Sequence, residues 1–92
     1  MKVRNDIDAM TPNQLVSWFL IGCYAYYELS TPVMADADFD YMVRKLKEQW
    51  GNADNPHKDL ISETHLDATT GYDIKYPNIT KYSTIEYIRG DV

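Results

Sequence analysis

This chain has little from which to build covalent or catalytic chemistry. It carries one cysteine, Cys23, so no intramolecular disulfide can close and no zinc quartet can form. A reducing, cytoplasmic setting is expected from that usage. Cys23 sits in an apolar stretch with no His or Lys beside it, which reads as a small packed hydrophobe rather than a nucleophile. The two histidines, His57 and His65, lie in polar segments and read as solvated side chains. Positive charge is also scarce. Nine Lys and Arg face 14 Asp and Glu, for a net charge of −5 and a pI near 4.7. Phosphate binding needs clustered cations, so no direct nucleic-acid binding is expected. The one basic cluster, Arg44, Lys45 and Lys47, falls late in an expected helix, where cations suit the macrodipole and a solvated face. The longest apolar run, Trp18 to Ala25, is interrupted by Gly22 and is far too short to cross a bilayer. The start lacks a signal peptide's apolar centre, so no membrane association is expected. Internal repeats and a glycine-rich phosphate loop are absent.

What is abundant is tyrosine, at 8 of 92 residues. Tyrosine supplies rigid, amphipathic contact area, which suits either a recognition surface or a thin, half-exposed core. A chain of this length is one domain's worth, with a small core.

The organisation follows from the local signals. Residues 1–10 are polar and read as a flexible arm, with Ile7 and Met10 available to dock. Thr11 can cap a helix, Pro12 suits its first position, and Gln14 completes a Thr-x-x-Gln capping box. Leu15, Val16, Phe19, Leu20, Cys23 and Tyr27 then recur on one face, predicting a helix over about 12–29 that ends before Pro32. A second helix is predicted over about 36–50. Its apolar face is Phe39, Met42, Val43, Leu46 and Trp50, with acids in its first turn and Gly51 at its end. The short link predicts an antiparallel hairpin, and the fold class is mainly α. Beyond Gly51 the pattern weakens into an irregular extension. Within it, residues 81–89 fit either a short helix, with Ser83 and Glu86 as a capping box, or a strand.

Where the two helices meet, Tyr26 and Tyr27 close the first and Phe39 opens the second. Asp36 and Asp40 stand four residues apart on the second and so share a face. Aromatic faces flanked by two carboxylates suit a flat cationic ring, and the carboxylates can also accept hydrogen bonds from amide or hydroxyl donors. The competing reading is plain: acids favour the first turn of any helix, and aromatics at a bend are often core.

Tyr26-Tyr27, the link Ser30-Thr31-Pro32 and the opening Asp36-Ala37-Asp38-Phe39-Asp40, followed by Met42, Val43, Arg44 and Leu46, resemble the N-terminal domain Ia of bacterial NAD-dependent DNA ligases. The resemblance covers about residues 15–51, with a weaker echo to Gly71, and so divides the chain into an arm (1–10), an Ia-like helical domain (11–71) and an extension (72–92). It implies binding of NAD through its nicotinamide mononucleotide half. Tyr26, Tyr27 and Phe39 would stack on the ring, and Asp36 and Asp40 would hold polar groups. The chain departs from the pattern at Lys45, where the family's helix has Glu, and in three further places. Phe39 stands where the family has Tyr, Ala35 precedes the helix where Ser or Thr is common, and Ser30 replaces an acid. The adenylation motif Lys-x-Asp-Gly is absent. The chain is therefore not expected to be an enzyme on its own, but a detached ligase component completing a separate adenylation chain. The alternative, from a different class, is an interaction protein that keeps the scaffold and binds a host protein through the extension, with Tyr72, Tyr76, Tyr82 and Tyr87 as the partner surface.

Overall fold

The first long helix begins where the sequence places it. In the computed structural model, which describes residues 2–62, 65–66 and 74–90, the Thr11 hydroxyl accepts the Gln14 backbone N–H (3.2 Å) and the Gln14 side chain accepts the Thr11 N–H (2.8 Å). This capping box opens α2 (Pro12–Tyr27). The helix stops two residues short of the expected end. Ser30 takes a left-handed conformation (φ 52°), and the Thr31 N–H returns to the Ala25 carbonyl (2.9 Å), closing the last turn before Pro32 can act. The second helix, α3 (Asp36–Glu48), opens without a side-chain cap at Ala35. Gly51 does not terminate it in a left-handed turn. The chain runs through Gln49 into a 3-10 turn (Trp50–Asn52), and the Lys58 ammonium bonds the Trp50 and Ala53 carbonyls while lying 4.7 Å from the Trp50 ring centre.

The fold is mainly helical, and no strand occurs among the described residues. α2 and α3 form the expected hairpin. Phe19 and Gly22 of α2 meet Phe39 of α3, whereas Asn13 at the start of α2 bonds Asp54 and Asn55 beyond the end of α3, so the two run antiparallel. Leu15, Val16, Phe19 and Leu20 of α2 interlock with Met42, Val43 and Leu46 of α3, all essentially inaccessible to water. That is the periodicity read from the sequence, realised as a core.

Two segments differ from expectation. Residues 2–10 are not a loose arm: Arg4–Asp8 form a short helix, α1, whose Ile7 is fully buried. Asp6 accepts the Val3 N–H to start it, and Lys2 pairs with the link through a bond from its N–H to the Val33 carbonyl (2.9 Å). α1 lies across α3 and is held by polar contacts. Tyr41 donates to the Asp8 carboxylate, Lys45 stands 3.4 Å from Asp8, Arg4 reaches Asp38 (4.0 Å), and the Arg4 guanidinium covers the Tyr41 ring at 4.4 Å. The Tyr41 hydrogen bond holds the Asp8 carboxyl below the ordinary carboxylate range, and the same bond pushes the Tyr41 phenol up. Lys45 is thus turned toward α1, and only Arg44 and Lys47 of the basic cluster face outward as exposed residues.

The C-terminal ambiguity resolves as a helix, α4 (Asn78–Arg89), which packs on α2. It starts at Pro77, so Ser83 lies inside the helix and caps nothing, and Gly90 (φ 76°) ends it in the left-handed turn that suits glycine. Tyr76 meets Tyr24 edge-on (5.3 Å) and Tyr87 meets Trp18 edge-on (5.1 Å), which sets α4 antiparallel to α2. The boundary at residue 71/72 and Tyr72 lie outside the described residues. No described helix is long and apolar enough to cross a membrane.

Candidate binding cavity at the helix junction

The end of α2, the link and the start of α3 enclose a cavity of about 310 Å³. The five residues singled out by sequence, Tyr26, Tyr27, Asp36, Phe39 and Asp40, all line it. The reason is local. Tyr26 and Tyr27 are the last residues of α2, and the eight-residue link folds back, so the first turn of α3 arrives beside them. On α3, Asp36 and Asp40 are one turn apart and face the cavity together, whereas Asp38 points elsewhere and meets Arg4. Asp36 and Asp40 are exposed, and no described Lys or Arg comes within 4 Å of either carboxylate. Asp36 lies in the first turn of α3 and Asp40 one turn further on, and with no described basic side chain beside them they leave the cavity mouth negative.

The aromatic residues are held unequally. Phe39 is half-buried and lies against Phe19 at 5.8 Å with the rings only 23° from parallel, so one of its faces is already covered. Tyr26 is 54% exposed and meets Tyr27 edge-on at 5.0 Å. Tyr26 therefore presents the more accessible ring. Phe39 offers the cavity an edge and one remaining face.

The sequence reading missed the residues that shape the cavity. Gly22 lines the cavity where Phe39 comes closest: a Cβ there would stand 2.7 Å from the Phe39 Cε1, closer than carbon atoms tolerate, and a tight 3.1 Å from its Cδ1. The signal was available, because a lone glycine inside a helical pattern often marks a close approach. Pro32, Val33 and Met34 form a wall from the link, which periodicity does not address. Cys23 also borders the cavity, but burial pushes its thiol up to about 12, so it stays protonated near neutral pH and acts as an apolar surface.

Elsewhere the described residues hold no group of three or more His, Cys, Asp or Glu able to bind a metal. His65 is engaged locally rather than solvated: its Nδ1 accepts the Ser62 backbone N–H at 3.0 Å. His57 is half-buried in the loop that follows α3. The arrangement at the junction offers aromatic faces and carboxylate acceptors, and Cys23, the one thiol among the described lining residues, is held protonated. Compared with known proteins, this chain matches no family model, no curated protein and no solved structure.

Proposed function

We propose that this protein is a nicotinamide-nucleotide binding module that takes the nicotinamide mononucleotide half of NAD. The reading rests on one observation: two tyrosines, a phenylalanine and two uncompensated carboxylates from separate helices converge on one cavity of small-ligand size. A positively charged pyridinium ring is attracted by the aromatic faces and balanced by Asp36 and Asp40. The same carboxylates accept hydrogen bonds from a carboxamide N–H or a ribose hydroxyl. Tyr26 closes over the ring, Tyr27 supports it, and Phe39 fixes the opposite edge. The module binds and positions the ligand in the cytoplasm, and the chemistry of adenylation belongs to a separate chain that it completes. The resemblance to ligase domain Ia supports this assignment of roles.

The test is a proton–nitrogen NMR titration with nicotinamide mononucleotide and NAD, with adenosine monophosphate as control. Affinity near the millimolar level, about −4 kcal/mol, is expected for one small domain. Shifts should centre on residues 26, 27, 36, 39 and 40 and arise with the first two ligands only. Asp36→Ala and Asp40→Ala should each abolish them while the rest of the spectrum stays folded. Unchanged binding in both variants removes the site.

A second reading, a protein-interaction module, is favoured by a separate feature: the outer face of α4 is apolar and exposed.

A further inference from the structure

α4 is packed inside out. Against α2 it buries Thr80 (6% exposed) and Thr84 (0%), the latter satisfying its hydroxyl on the Thr80 carbonyl at 2.7 Å. Toward solvent it presents Ile79, Tyr82, Ile85 and Ile88, exposed by 59, 65, 41 and 39%. A helix that packs by its apolar face does the reverse. Four large apolar side chains on one short exposed helix form a contiguous surface of the kind that marks an interface, and no described residue covers it.

The charges beside this surface specify its occupant. With about 100° between successive residues, Tyr82 and Ile85 flank the midline of the outer face and form its apolar centre, while Asn78 and Arg89 fall on that midline at the two exposed ends of the helix. Lys81 and Glu86 then fall about 70° to either side of that centre, on opposite flanks. Ile88 shares the flank of Lys81 and Ile79 that of Glu86. When two identical helices pair in parallel, a residue on one flank meets the residue five positions later on the opposite flank of its partner. Lys81 and Glu86 are five apart, on opposite flanks and of opposite sign. An antiparallel pair would bring together residues of the same flank, placing each of these charges against isoleucine. The buried threonine face points away from Tyr82 and Ile85, so each globule sits on the far side of the helix from the contact.

We propose that α4 pairs in parallel with α4 of a second copy, with Tyr82 and Ile85 stacked on their counterparts and two Lys81–Glu86 ion pairs across the two-fold axis. The surface is separate from the helix-junction cavity, and the proposal does not depend on what that cavity binds.

Twelve residues make a helix about 18 Å long, well below a standard interface, so the dimer dissociates on the order of 0.1 mM. Sedimentation equilibrium of the whole chain from about 10 µM to about 2 mM brackets that value. About 0.15 M salt screens the mutual repulsion of two chains of net charge −5. The wild type should pass from monomer to dimer across the range. Lys81→Glu and Glu86→Lys should each weaken association about tenfold, because each turns two attractions per dimer into two repulsions. Glu86→Lys should do so although it lowers the net negative charge. An equimolar mixture of the two variants should regain dimer, since every flank contact between unlike chains is again attractive. Circular dichroism checks that each variant is folded. A wild type that stays monomeric to the top of the range overturns the proposal. So does a dimer indifferent to the single reversals, or a mixture no better than its components.

Discussion

At the residue scale, Gly22 and Phe39 are the coupled pair on which the cavity depends. A methyl group at position 22 collides with the Phe39 ring at 2.7 Å, and overpacking of this kind costs about 1–3 kcal/mol where neighbours cannot move. Phe39 is half-buried and borders open space, so its ring can rotate into the cavity. Replacing glycine in a helix by alanine returns about 1 kcal/mol. These opposing terms nearly cancel. Gly22→Ala should therefore remain within about 1 kcal/mol of wild type in urea unfolding, while the Phe39 ring resonances shift and the nicotinamide mononucleotide titration weakens. A large loss of stability with unmoved ring resonances would show that Phe39 is clamped by Phe19 and does not give.

At the element scale, caps and turns decide where each helix starts and stops. α2 has a complete capping box at Thr11 and Gln14; α3 begins at Ala35 with extended backbone (φ −69°, ψ 153°) and no side-chain acceptor. That backbone is the conformation a capping serine adopts, so Ala35→Ser should stabilise the protein by about 0.5–1 kcal/mol, read as a higher urea midpoint at unchanged slope. A drop in midpoint would mean that position 35 is shaped by the link and not by the helix start. The start of α2 was legible because Thr11, Pro12 and Gln14 act on their own neighbours. Its end was not: Pro32 suggested a later stop, but Ser30 turns the chain first, and no local rule marks a serine for a left-handed turn. The same limit applies to α4. Its apolar residues fit a helix, yet sequence patterning puts such residues inside, and the fold puts Thr80 and Thr84 there.

At the scale of the whole molecule, α1 is a structural part of the fold. Ile7 is fully buried in the common core, and Arg4, Asp8 and Lys2 tie the segment to α3, to Trp18 and to the link. Truncating a buried isoleucine to alanine costs about 2–5 kcal/mol, a large share of the 5–15 kcal/mol that holds a small domain together. Ile7→Ala should lower unfolding free energy by about 2–4 kcal/mol and raise amide exchange across α3 as well as α1. A change below about 0.5 kcal/mol would restore the view of residues 1–10 as a loose arm.

What the amino-acid sequence determined by itself is what depends on neighbours a few residues away. The α2 capping box, the apolar faces of α2 and α3, and the shared face of Asp36 and Asp40 are all set by helical spacing. The short link adds the return of the chain, and so the meeting of Tyr26 and Tyr27 with Phe39. Contacts between distant parts of the chain set the rest. A polar N-terminal segment becomes part of the core because one isoleucine finds a gap there, and its charges find partners 33 and 37 residues away. The inside-out seating of α4 comes from Trp18 and Tyr24 of α2, which pack against Tyr87 and Tyr76. Periodicity records which residues share a face, but which face turns inward depends on what another part of the chain offers to pack against it.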